Sequence, residues 1–159
     1  MRNVLQEYAR SGKLEMLYLV DNLLLEKGVG AVPILGYFDV LNQAVVNTLH
    51  MLNIFQNSEP VIGNYIAPSA LSRIATIGVV DLEKEEEKWF FQLTHAREMV
   101  YYYGINEEEL KTDGSLFRRI TDFVKSKLEE GINISYGIFK TSYEQKYCYC
   151  LKYTSVVQS

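Results

Sequence analysis

GYFDVLNQAVVNTLHMLNIFQN, residues 36 to 57, organises the reading of the whole chain. Tyr37, Leu41, Ala44, Val45, Thr48, Leu52 and Phe55 recur at three- and four-residue spacing, which places them along one stripe of a helix. Asp39, Gln43, Asn47 and His50 fall on another stripe, so the segment reads as an amphipathic helix with amides on its polar side. Asn57, Pro60, Gly63 and Pro68 follow, and they predict a loop of about a dozen residues, a length enriched in functional segments.

On the N-terminal side, LEMLYLVDNLLLEK at 14 to 27 has apolar residues on more than one face and reads as a buried helix, with a strand as the alternative. Gly28, Gly30 and Pro33 then break the pattern into a loop. On the C-terminal side, Arg73 to Val80 is rich in β-branched residues and Trp89 to Thr94 is aromatic and apolar. The charged run LEKEEEK lies between them, the signature of a hairpin with a solvated turn. A competing reading makes EKEEEKWFFQLTHAREMV one helix, since it is full of good helix formers. His95 to Asp113 reads as irregular, interrupted by Gly104, with a short turn of helix capped by Asn106.

SLFRRITDFVKSKLEEG is a second amphipathic helix, with Ser115 as N-cap, Leu116, Phe117, Ile120, Phe123, Val124 and Leu128 inward, and Gly131 as its stop. The tail INISYGIFKTSYEQKYCYCLKYT holds two alternating runs joined near Ser142 to Gln145, which predicts a closing hairpin. Residues 36 to 55 and 115 to 130 are therefore expected as helices on one face of a mixed or antiparallel sheet made of 73 to 80, 88 to 94, 132 to 139 and 146 to 154. That is a two-layer α/β (α+β) sandwich. A single domain over 1 to 159 is expected, with a helical or loop segment at 1 to 35 ahead of the sandwich at 36 to 155.

Composition narrows the function classes. With 159 residues, 48% hydrophobic and 23% charged, the chain has the make-up of a globular domain. A net charge of −4 argues against sequence-independent nucleic-acid binding. Arg10, Lys13 and Glu15 interrupt any signal-peptide pattern and the apolar runs are too short to span a bilayer, so a cytoplasmic protein without a membrane partner is expected. Cys148 and Cys150 share one face of a strand, poorly placed for a disulfide, and two His offer little to complete a metal site. They read as reduced, apolar-packed thiols. Among the 12 Tyr, the run Tyr101, Tyr102 and Tyr103 alternates in direction, so at least one ring is expected to face solvent or a partner.

The order of helix, hairpin, irregular segment, helix and hairpin, together with Asn47, resembles the histidine-kinase-like ATPase (GHKL) family, which includes gyrase-type ATPases and the serine kinases of anti-sigma-factor systems. In that family an Asn on the first helix ligates the magnesium ion of ATP, and a Glu four residues earlier prepares a water or proton. Asn47 matches the former position and Gln43 replaces the latter, and an amide cannot act as a base. The resemblance places Thr94 or His95 near the adenine-contacting Asp, and Gly114 and Ser115 in the phosphate lid, with Arg118 and Arg119 one turn inside the helix. His95 with Glu98 nearby has the form of a phosphorylatable histidine.

The resemblance implies a non-catalytic or weakly nucleotide-binding module acting by protein interaction in bacterial signalling, with a pathway partner or a second copy bound. No cofactor is expected, ATP and magnesium being the ligands the family would take. The alternatives are an active ATP- and magnesium-dependent serine kinase, and an unrelated α/β domain whose Tyr-rich surface binds a protein.

Overall fold

The computed structural model describes residues 2–64, 69–128, 131–144 and 146–159. Pro68, Gln145 and the last two positions of the helix predicted to 130 lie outside the described residues. In chain order the elements are α1 (Arg2–Arg10), β1 (Leu17–Tyr18), α2 (Asn22–Val29), α3 (Tyr37–Gln56), β2 (Ile62–Asn64), β3 (Ile74–Asp81), β4 (Glu86–Trp89), β5 (Glu98–Asn106), α4 (Glu107–Thr112), α5 (Leu116–Ser126), β6 (Asn133–Thr141) and β7 (Tyr147–Thr154).

The middle of the molecule is β5, in the stretch expected to be irregular. It pairs antiparallel with β7 on one side and parallel with β6 on the other. The sheet order is β1-β3-β7-β5-β6-β2, with β4 also paired to β3. The sheet is mixed, and the predicted closing hairpin does not exist, because β5 lies between β6 and β7. A parallel pair needs a crossover rather than a tight turn, and α4 and α5 supply it between β5 and β6.

Helices cover both faces of this sheet, which corrects the expected two layers. Leu41, Leu52 and Phe55 of α3 and Leu25 of α2 pack with Val100, Tyr102, Leu151 and Tyr153 on one face. Leu116, Ile120, Phe123 and Val124 of α5 pack with Met99, Tyr101, Tyr103 and Ile105 on the other, whereas Phe117 and Leu128, expected inward, are exposed, the first lying off that stripe and the second beyond the helix end at Ser126. A strand buried on both sides has no polar alternation, which is why EMVYYYGIN carries no period-2 signal. Gly104 lets the α3 layer close down, since a Cβ there would sit 2.9 Å from Cζ of Phe55.

The helix alternative for 83 to 100 is excluded by β4 and β5. The β3–β4 turn is held by Asp81, whose Oδ1 accepts from the N–H of Glu83 at 3.0 Å and of Lys84 at 3.1 Å. These bonds favour the carboxylate and hold the Asp81 pKa below its ordinary value. The strand predicted at 88 to 94 is shorter and earlier, ending at Trp89. Beyond it the Phe90 carbonyl leaves the ladder to accept from the N–H of Asp21 at 2.6 Å. Asp21 also divides the predicted 14 to 27 helix, because its Oδ1 caps α2 through the N–H of Leu23 at 2.8 Å. The piece before it becomes β1, parallel to the start of β3.

Two local features appear as expected. Asn106 Oδ1 accepts from the N–H of Glu109 at 2.8 Å and opens α4. Ser115 occupies the N-cap position of α5, although Asp113 rather than the serine hydroxyl organises that turn. Among the described residues no helix is long and apolar enough to cross a membrane.

Candidate functional site

The residues singled out by the resemblance do not come together. Asn47 is exposed on α3, on the Tyr102 side of the sheet, where its Oδ1 accepts from Gln43 Nε2 at 2.6 Å. Gly114 and Ser115 are exposed at the start of α5, on the opposite side. There the Ser115 hydroxyl donates to Asp113 Oδ1 at 2.8 Å, and Arg119 reaches Asp113 Oδ2 at 2.8 Å. Those contacts, the serine first, keep the Asp113 pKa low. Arg118 lies 3.9 Å from Asp122 on its own helix.

Thr94 is tied to the chain terminus: its N–H and hydroxyl donate to Gln158 Oε1 at 2.8 and 3.0 Å. His95 is exposed, while the carboxylate of Glu98 accepts from the N–H of Ser69 at 3.1 and 3.2 Å. Among the described residues no group of three His, Cys, Asp or Glu side chains is placed to hold a metal ion.

The three tyrosines are interior. Tyr101, Tyr102 and Tyr103 are 0%, 1% and 0% exposed, because α5 covers the odd positions and α3 the even one. Alternation turns one of three consecutive rings outward only where a strand has an open face, and β5 has none. The Tyr101 hydroxyl donates to Glu87 of β4, which also accepts from Trp89 Nε1 at 3.3 Å and lies 3.9 Å from Lys127. Burial first, then the Glu87 bond, pushes the Tyr101 phenol far above its ordinary range. Burial raises both cysteine thiols in the same way.

A group of exposed apolar side chains lies in the loop that enters α3, a segment whose sequence gave no site residue. Ile34, Leu35 and Phe38 are 94%, 92% and 66% exposed at the entrance to α3. The local geometry explains it. Gly36 sits at φ 80°, a left-handed turn that glycine adopts without strain, and the Tyr37 N–H closes the turn on the Ile34 carbonyl at 3.3 Å. Tyr37 anchors the turn, its hydroxyl donating to Glu26 Oε2 at 2.8 Å, a bond that raises its own pKa. The neighbouring Phe38 ring meets Tyr37 edge-on at 5.2 Å and points away. The available signal was three large apolar side chains in a segment punctuated by Pro33 and Gly36.

No protein-family profile matches the chain, and no curated protein does. Solved structures do. An empty FtsZ dimer from M. jannaschii superposes with a TM-score of 0.61 at 17% identity, over 96% of this chain and 50% of that one. A GTPγS-form protofilament of Bacillus thuringiensis serovar israelensis TubZ gives 0.61 at 19%, over 93% and 46%. CetZ from Methanosaeta thermophila gives 0.57 at 16%, over 89% and 43%.

The fold is therefore FtsZ/tubulin-like, and the present chain spans about half the length of the structures it matches. The histidine-kinase-like resemblance is overturned by these matches, and with it the signalling module and the anti-sigma-type kinase, while the matches lend ATP no support. The order of elements that carries that resemblance has an irregular segment where the structure has β5. Supplying the strand changes the sheet and the layers, and so the fold.

Proposed function

We propose that this chain is an assembly module which associates with further copies of itself through the exposed Ile34, Leu35 and Phe38 turn. The observation that carries the proposal is the near-complete exposure of Ile34 and Leu35, beside a Phe38 ring two-thirds exposed, on an anchored turn. Burying three such groups stabilises a contact by about 1.5–3 kcal/mol each, roughly 5–9 kcal/mol together. Association itself costs about 4–15 kcal/mol, so one such contact gives weak binding that repetition along a polymer reinforces. A turn received by a different surface on the next copy is a heterologous contact, the kind that propagates as a filament. Two of the matched structures, an FtsZ dimer and a TubZ protofilament, are themselves assemblies, which supports the same reading.

Sedimentation velocity over a wide concentration range tests it. The unmodified chain should associate progressively, and Ile34→Asp with Leu35→Asp should return it to monomer without lowering its melting temperature. A chain that stays monomeric at every concentration, or a double variant that assembles as well as the parent, would refute the proposal.

A further inference from the structure

Part of the polar stripe of α3 faces a ladder of tyrosines. Asn47, His50 and Met51 are three and four residues apart, so their side chains share one side of the helix. Tyr147 and Tyr149 sit two apart on β7 and share one face of the sheet, and Tyr143 stands shortly before that strand. These six residues line an open groove of about 320 Å³.

The rings follow one another in order. Tyr143 meets Tyr147 edge-on with centroids 6.0 Å apart, Tyr147 stacks on Tyr149 at 6.2 Å, and Tyr149 backs onto the buried Phe55 ring at 6.2 Å. The ladder is thereby anchored in the core at one end and open at the other, where Tyr143 is 51% exposed. Asn47 and His50 are exposed beside it. Asn47 Oδ1 already accepts from Gln43, which leaves the Nδ2 hydrogens to donate outward.

Three properties of the groove select its occupant. Among the described residues the lining holds no Asp, Glu, Lys or Arg, so an acidic or basic ligand finds no countercharge there. The Asn47 amide and the His50 imidazole offer N–H donors, which suit an occupant rich in free carbonyls. The ring steps of 6.0 and 6.2 Å match two residues of a polyproline II helix, which rises about 3.1 Å per residue and leaves its carbonyls without internal hydrogen bonds. Such a helix docks in aromatic-lined grooves at little conformational cost, because it is already formed before it binds.

We propose that the groove binds a proline-rich segment of a partner protein in the polyproline II conformation. Its pyrrolidine rings pack against Tyr143, Tyr147 and Tyr149, while Asn47 Nδ2 and the His50 ring N–H donate to its main-chain carbonyls. About four residues of the segment span the ladder. The groove is separate from the Ile34, Leu35 and Phe38 turn, and neither proposal depends on the other.

Decaproline blocked at both ends is the probe, and a blocked Gly-Ser peptide of the same length is its control. Binding is read by calorimetry in every variant and by the Asn47 side-chain amide shift in NMR titration of the parent. Decaproline should saturate, with the flexible control weaker by about tenfold or more. Tyr143→Ala should weaken decaproline by about tenfold and Asn47→Ala by about fivefold. Both should melt close to the parent, because both side chains are exposed. Ile34→Asp with Leu35→Asp should bind decaproline as the parent does, which separates this site from the assembly contact. Equal binding of the two peptides, unchanged decaproline affinity in both groove variants, or no saturable Asn47 shift up to the solubility limit would each overturn the proposal.

Discussion

Tyr101→Phe and Tyr103→Phe form a matched pair that tests the central strand directly. Both rings lie on the α5 face of β5, stacked with centroids 6.5 Å apart, and both are fully buried. Each substitution removes one oxygen and leaves the ring. The difference lies in what the oxygen does. Tyr101 donates to the Glu87 carboxylate, which is only 16% exposed and would lose a charge-assisted bond. Loss of such a bond costs about 1.5–3 kcal/mol. Tyr103 faces only the Cys148 thiol, a weak acceptor, and its replacement should change stability by no more than about 0.5 kcal/mol or raise it. For a chain of this size about 1 kcal/mol corresponds to roughly 2–4 °C. Tyr101→Phe should therefore lower the melting temperature by about 3–12 °C, with Tyr103→Phe close to the parent. Chemical denaturation followed by the fluorescence of Trp89, the single tryptophan, supplies the same comparison as free energies. Equal losses in the two variants, or a larger loss for Tyr103→Phe, would refute the assignment of the Glu87 bond to Tyr101.

Gly104→Ala should destabilise the fold by about 1–3 kcal/mol, because its Cβ would meet the Phe55 ring at 2.9 Å and Thr141 Cγ2 at 3.1 Å, and Phe55→Leu in the same chain should recover part of the loss in a double-mutant cycle. Cys148 and Cys150 are free and buried with their thiols pushed upward, so a disulfide reagent should modify neither until denaturant unfolds the chain. Asp81, Glu107 and Asp113 are held below their ordinary pKa values. The stability they contribute is present above the unfolded values of 3.8 for Asp and 4.5 for Glu, and is lost as pH falls through the lower folded values. The melting temperature should accordingly decline below about pH 4, and the decline should be shallower in Asp113→Asn.

What the chain determines locally is visible in its residues. The three- and four-residue spacing from Tyr37 to Phe55 makes α3, and the spacing from Leu116 to Val124 makes α5, because a helix face is set by neighbours within one turn. Asn106 opens α4 for the same reason, as its acceptor serves an N–H three residues on. Asp81 and the charged run after it mark the β3–β4 turn. The apolar loop at Ile34, Leu35 and Phe38 was equally open to reading, since nothing in its own residues could bury all three.

Only the tertiary structure decided the rest. Whether Tyr101 and Tyr103 lie inside depends on α5, and whether Tyr102 does depends on α3, elements distant in sequence whose arrival on both faces removes the alternation that identifies a strand. Whether β6 and β7 pair depends on β5 entering between them, which no turn sequence at 142 to 145 records. Asn47 and Gly114 were brought together by analogy and are held apart by the sheet, because the face a helix covers follows from the crossover that carries it and not from the helix's own residues.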